Sequence, residues 1–124
     1  MNTVLPRPCV PADALTAWSR QTYRPLENMS VGMIFQKRST RTRVSTETGM
    51  AYLGAHPLFL GPSDIQLGVN ETVKDSARVL SRFNDILLAR VYGHEVIEEL
   101  NAESSVPIIN GLSEMHHPLQ VITL

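Results

Sequence analysis

Four short apolar runs, each followed by a stretch long enough for a helix, constrain this chain more than any other feature it has. Val31-Gly32-Met33-Ile34-Phe35 comes first, Pro57-Leu58-Phe59-Leu60 second, Ile86 to Val91 third and Val106 to Ile109 fourth. Such short, near-continuous apolar runs suit strands buried on both faces of a sheet. Between them, Ser39 to Leu53 lacks proline and reads as a helix ending near Gly54. Val73, Ala77, Leu80 and Asn84 fall on one helical face, which predicts a helix from about Glu71 to Phe83. Val96, Ile97 and Leu100 mark a third helix, and Pro118 suits the first position of a fourth, Pro118 to Leu124. Strands alternating with helices imply right-handed crossovers between parallel strands. The expected fold is α/β: a four-stranded, mainly parallel sheet with helices on both faces.

Size and charge set further bounds. A chain of 124 residues has room for one domain. Its formal net charge of -1 gives no overall attraction to nucleic acid or anionic lipid. No apolar run approaches the ~20 residues a membrane helix needs. Cys9 is the single cysteine, so there is no internal disulfide and no cysteine-based metal site, and a reducing compartment is the natural fit. Residues 1–28 hold four of the eight prolines and show no sustained periodicity, so they are set apart as an irregular leader before a domain at 29–124. Arg7, Arg20 and Arg24 give that leader a weak organelle-targeting character, but it makes a poor amphipathic helix. At the other end, a helix of only seven residues is shorter than the ~12 that make an independent helix, so an element is expected to be cut short.

Ligands of open parallel sheets bind beyond the carboxyl ends of the strands, where the following helices begin. After the first strand comes Gln36-Lys37-Arg38-Ser39-Thr40-Arg41-Thr42-Arg43, with four of the chain's 11 Lys and Arg residues. A solvated basic helix face is the plain reading of such a run. Here, though, a helix beginning near Ser39 aims free N–H groups and a positive dipole end at the same spot. Ser39, Thr40 and Thr42 add hydroxyls, and Arg41 adds a fork matched to phosphate oxygens. A phosphate is the guest that fits. Arg90 closes the third run, where a charge needs a partner, either an ion pair or a ligand. His117 and Gln120, three residues apart after the fourth run, can point from one helical turn toward one ligand.

The segment Phe35 to Arg43 resembles the F-x-K-x-S-T-R-T-R signature of ornithine carbamoyltransferases; aspartate-specific relatives typically read S-x-R-T-R. The resemblance continues through Gly61-Pro62-Ser63, Leu67-Gly68, Glu71, Ala77-Arg78-Val79-Leu80, Ala89-Arg90-Val91, Pro107 to Asn110 and His117-Pro118-Leu119-Gln120. It implies a carbamoyl-phosphate-binding domain with Ser39, Thr40, Arg41 and Thr42 as the phosphate turn. It implies that Arg90 bridges phosphate and carbonyl oxygen, that His117 holds the carbonyl oxygen and that Gln120 holds the amide. Arg41, Thr42, Arg90 and His117 are then the catalytic residues, and Thr42, Arg90 and His117 stabilise charge on the carbonyl oxygen as the δ-amine of ornithine attacks. It further implies a homotrimer whose loop Ser63 to Asn70 carries Gln66 into the neighbouring subunit's site, and neither metal nor organic cofactor.

No segment resembling the family's second, ornithine-binding domain follows Gln120. The expectation is thus a C-terminally truncated half-site, inactive alone, that binds carbamoyl phosphate or joins full-length trimers as a modulator. A relative acting on another amine is a further reading. Nucleic-acid binding through residues 37–43 ranks last, since only Phe35 lies near that run for base stacking. Family members occur in the bacterial cytoplasm and in mitochondria; the cytoplasm is the expected location here, with the mitochondrial matrix as the alternative.

Overall fold

The structure, a computed structural model, describes residues 23–65 and 67–123. The sequence readings on most of the leader, on Gln66 and on Leu124 lie outside those residues. Four strands form one parallel sheet: β1 (Ser30–Phe35), β2 (His56–Leu60), β3 (Ile86–Arg90) and β4 (Ile108–Leu112). Four helices alternate with them: α1 (Thr40–Tyr52), α2 (Val73–Leu80), α3 (His94–Glu103) and α4 (Pro118–Thr123). The sheet order is β2-β1-β3-β4, so the chain leaves β1 toward one edge and leaves β3 toward the other. That reversal opens a crevice at the carboxyl ends of β1 and β3.

Burial explains why the two central runs, on β1 and β3, are apolar throughout, while the edge strands β2 and β4 are only partly covered. Val31, Met33 and Phe35 of β1 join Leu88 of β3 in one cluster, packed against Met50 of α1 and Leu119 of α4. Ile34 and Ala89 point the other way, into a cluster with Ala77 of α2 and Ile97 and Leu100 of α3. The sheet therefore has α1 and α4 on one face and α2 and α3 on the other. Each fully buried large side chain, such as Phe35 or Leu100, contributes about 1.5–3 kcal/mol. No described helix is long and apolar enough to cross a membrane.

Local chemistry sets the boundaries, in places differently from the sequence expectation. α1 begins one residue after Ser39, which caps it, and ends at Tyr52; Gly54, just beyond its C-cap, has a φ of 98° that suits a residue without a side chain. α2 is shorter than the expected Glu71 to Phe83. Thr72 caps its start by accepting from Asp75 N–H, and single turns replace it after Leu80. β4 begins later than the expected Val106, because Ser104 Oγ accepts from Val106 N–H and donates to Val106 O. It also runs past the expected end at Ile109, through Asn110 and Gly111 to Leu112. Gly111 is the extra residue of an irregularity opposite Ala89 and Arg90; a Cβ there would lie 3.0 Å from Leu88 Cδ2. Within the segment Ser63 to Asn70, Leu67 is buried and Ile65 packs against the α2/α3 cluster.

Candidate functional site

Three segments converge on the crevice. The first is the start of α1. Ser39 has extended backbone, and its hydroxyl accepts from Thr42 N–H at 3.3 Å. A helix leaves its first N–H groups without internal acceptors, and Ser39 accounts for one of them. Acidic residues occupy the first turns of α2 and α3 (Asp75 and Glu95), but the first turn of α1 has none. Its positive end is left for an external anion.

The second segment is the end of β3. Phe35 pairs with Arg90, so the loop leading to Ser39 and the Arg90 side chain leave the sheet at one level. Gln36 N–H donates to Arg90 O at 2.9 Å, which holds that level. Arg90 Nη1 lies 3.5 Å from Thr42 Oγ1, at the limit of a hydrogen bond. Its Nε is buried and makes no hydrogen bond, and no carboxylate pairs with it among the described residues. Burial, then the nearby Arg41 guanidinium, hold the Arg90 pKa below its ordinary value. Arg90 stays cationic near neutral pH, so the depression measures an unfavourable charge that an anion would relieve. Of the two partners the sequence allowed for Arg90, an internal ion pair is absent among the described residues.

The third segment is the start of α4. His117 O accepts from Gln120 N–H at 3.1 Å and begins the helix, while Leu119 packs into the α1/α4 cluster. His117 Nδ1 is buried without a hydrogen-bond partner. Together the segments enclose an open cleft of ≈ 760 Å³, and Ser39, Thr40, Arg41, Thr42, Arg90, His117 and Gln120 all line it. The structure thus brings together every site residue expected from the sequence except Gln66, which lies outside the described residues.

The basic run is divided by the fold. Arg43 turns away, 3.5 Å over the Phe59 ring and 3.1 Å from Glu47, while Lys37 lies 4.8 Å over Tyr92. Among the described residues, only Arg41 and Arg90 supply charge to the cleft. A cleft with two guanidiniums, several hydroxyls and an uncompensated helix start is suited to a phosphate-bearing ligand. Among the described residues, no group of three or more His, Cys, Asp or Glu side chains could hold a metal ion.

The sequence model described as "Aspartate/ornithine carbamoyltransferase, carbamoyl-P binding domain" matches residues 11–123. The chain belongs to this family. The match takes in part of the stretch set apart as a leader, and the family reading drawn from Phe35 to Arg43 holds. The mitochondrial ornithine carbamoyltransferase of Aquarana catesbeiana is 58% identical over 101 residues, covering 81% of this chain and 29% of that protein. The ornithine carbamoyltransferase of Pyrococcus abyssi is 50% identical over 113 residues, covering 90% of this chain and 36% of that one. Among solved structures, the ornithine carbamoyltransferase from Pyrococcus furiosus superposes with a TM-score of 0.80 at 48% identity, covering 89% of this chain and 36% of that chain. The chain therefore spans about a third of the length of these carbamoyltransferases.

Sequence reading missed several residues at or beneath the cleft. Ser45 and Thr46 line it from the second turn of α1. Their spacing from Thr42, three and four residues, is a helical-face signal that could have found them. Asn110, Ser113 and His94 form a hydrogen-bonded group beneath the His117 segment. No periodicity relates His94 to Ser113, so no sequence pattern marks this group.

Proposed function

We propose that the cleft binds carbamoyl phosphate as the half-site of an ornithine carbamoyltransferase. The observation that carries this is the convergence of Arg41 and Arg90 on one cleft, Arg90 having no internal counter-charge among the described residues. The phosphate sits at the start of α1, taking N–H groups and the hydroxyls of Ser39, Thr40 and Thr42. Arg90 spans phosphate and carbonyl oxygen, His117 meets that oxygen and Gln120 meets the amide.

In the reaction, the ornithine δ-amine forms a bond to the carbamoyl carbon, the bond from carbon to phosphate oxygen breaks, and the amine loses a proton to the departing phosphate. Citrulline and phosphate result. Thr42, Arg90 and His117 stabilise the negative charge that grows on the carbonyl oxygen, and one such donor is typically worth about 10²–10³ in rate. Ornithine is held by residues beyond the third of the relatives' length that this chain spans. A protein of these 124 residues alone therefore binds the first substrate without forming citrulline at a useful rate. In the proposed assembly, a trimer, Gln66 reaches the neighbouring subunit's carbamoyl phosphate. The cytoplasm is the proposed location, with the mitochondrial matrix as the alternative.

Calorimetric titration of the 124-residue chain with carbamoyl phosphate tests the reading. Heat of binding that weakens in Arg90→Ala is expected. The absence of heat with both carbamoyl phosphate and inorganic phosphate would overturn it.

A further inference from the structure

Beneath the cleft, where β4 ends, the Ser113 side chain is 3% exposed and its hydroxyl has four polar neighbours. Asn110 Nδ2 donates to it at 3.2 Å and the His116 N–H at 3.3 Å. His94 Nδ1 lies 2.9 Å away and the His116 carbonyl oxygen 3.5 Å away. A hydroxyl offers one proton and two acceptor lone pairs. The two N–H donors occupy both lone pairs. The one proton goes to the nearer acceptor, His94 Nδ1. With the Asn110 amide in that orientation, its own Oδ1 buried without a partner, neutral His94 carries its proton on Nε2.

We propose that Ser113 is a positioning residue for His117 and that neutral His94 holds it in that role. Ser113 N–H also donates to His116 O at 2.9 Å, so both backbone polar groups of His116 end on Ser113. His117 is the next residue. Its own Nδ1 makes no hydrogen bond, so the closed turn from Ser113 to His116 sets where the ring enters the cleft. Protonated His94 brings a third N–H to an oxygen with two lone pairs. One donor is displaced, and the turn that carries His117 changes.

The charged and titratable groups around His94 come from three elements. On α3 itself are Glu98, one turn on, and Glu95, whose carboxylate folds over Gly93. From the β4–α4 turn come Glu114 and His116, the latter's ring edge-on to His94 at 5.0 Å. From the loop before α3 comes Tyr92, with the Lys37 ammonium on its ring. The hydrogen-bond count is independent of the ligand. Its consequence for binding rests on the carbamoyl phosphate reading of the cleft.

The test uses the ¹⁵N-labelled 124-residue chain. Long-range ¹H–¹⁵N spectra at about pH 8, where imidazole is neutral, are expected to show His94 as the Nε2–H tautomer. As the pH falls, the His117 backbone amide shifts with the midpoint of His94, and His94→Gln removes that step. In calorimetry with carbamoyl phosphate, Ser113→Ala, which removes all three hydrogen bonds of that hydroxyl and loosens the turn, binds about fivefold more weakly, and Ser113→Thr restores affinity. An Nδ1–H tautomer on His94, with the Asn110 amide turned over, overturns the assignment. So does a His117 amide indifferent to His94 protonation. If the tautomer and the coupling are as expected but no variant binds carbamoyl phosphate, the positioning role stands and the reading of the cleft is rejected.

Discussion

The two faces of the sheet are built to different ends. On one, α2 and α3 press Ala77, Ile97 and Leu100 into a closed cluster, and Lys74 and Arg78 of α2 meet Glu103 of α3 at 3.2 and 2.8 Å. On the other, α1 has no buried residue, and Val44 on α1 and Val121 and Ile122 on α4 stand open to solvent. The closed face pairs its charged groups across α2 and α3, and its one buried orphan among the described residues is Asn110 Oδ1 on the α3 side of β4. The open face leaves Arg90 Nε and His117 Nδ1 buried without partners. Unsatisfied groups cost stability, and they persist where a ligand can supply the missing partner. The contrast teaches that one face is built to hold the fold, while the other keeps the groups that the proposed ligand would meet.

The sharpest way to break this contrast is to damage one face and measure both properties. Leu100→Ala, on the closed face and 0% exposed, should cost about 2–5 kcal/mol in a denaturant titration. Carbamoyl phosphate affinity, measured where the variant is still folded, should be unchanged; a large loss would mean the faces are coupled.

Arg90→Ala should do the reverse. Removing a charge-assisted contact worth about 1.5–3 kcal/mol should weaken carbamoyl phosphate binding by about 10- to 100-fold in calorimetry. Thermal stability without ligand should hold or rise, because the lost guanidinium was desolvated and repelled by Arg41. A clear fall in ligand-free stability would show that Arg90 supports the fold.

Ser39→Ala is expected to affect both measurements, since its hydroxyl caps α1 and lines the cleft. A loss of about 1 kcal/mol in unfolding should accompany weaker binding, and Ser39→Asp should recover the cap but not the affinity. Recovery of both would remove Ser39 from the phosphate turn.

The smallest effect lies on the closed face. The hydrogen bond from Lys74, then the charges of Arg78 and Lys74, outweigh desolvation and hold the Glu103 carboxyl below its ordinary 4.5. A depressed carboxylate contributes stability that is full above that ordinary value and is lost as pH falls through the lower folded value. Glu103→Gln should flatten this acid limb of the stability profile, with no change in carbamoyl phosphate affinity at neutral pH. An unchanged acid limb would show the ion pairs to be idle.

Much of this was legible in the residues because local periodicity reports burial directly. The apolar runs at Val31 to Phe35 and Ile86 to Val91 fall on strands buried on both faces. Ser39 and Pro118 marked helix starts through capping and ring geometry, which act within a few residues. The limits of α2 and β4 were less legible, because Ser81 and Ser104 hydroxyls compete with the backbone for the same groups. In the basic run, nothing local separates Arg43, which lies on Phe59, from Arg41, which lines the cleft.

The sequence by itself determined the alternation of elements, the phosphate-suited start of α1 and the family signature, since each rests on neighbours in the chain. Only the tertiary structure decided that Arg90 and His117 share a cleft with that turn, because strand order and register carry them there. It also decided that His94 meets Ser113, 19 residues away along the chain, around one hydroxyl with a single proton to give. Hydrogen-bond valence is settled by which groups meet in space, and spacing along a chain does not encode it.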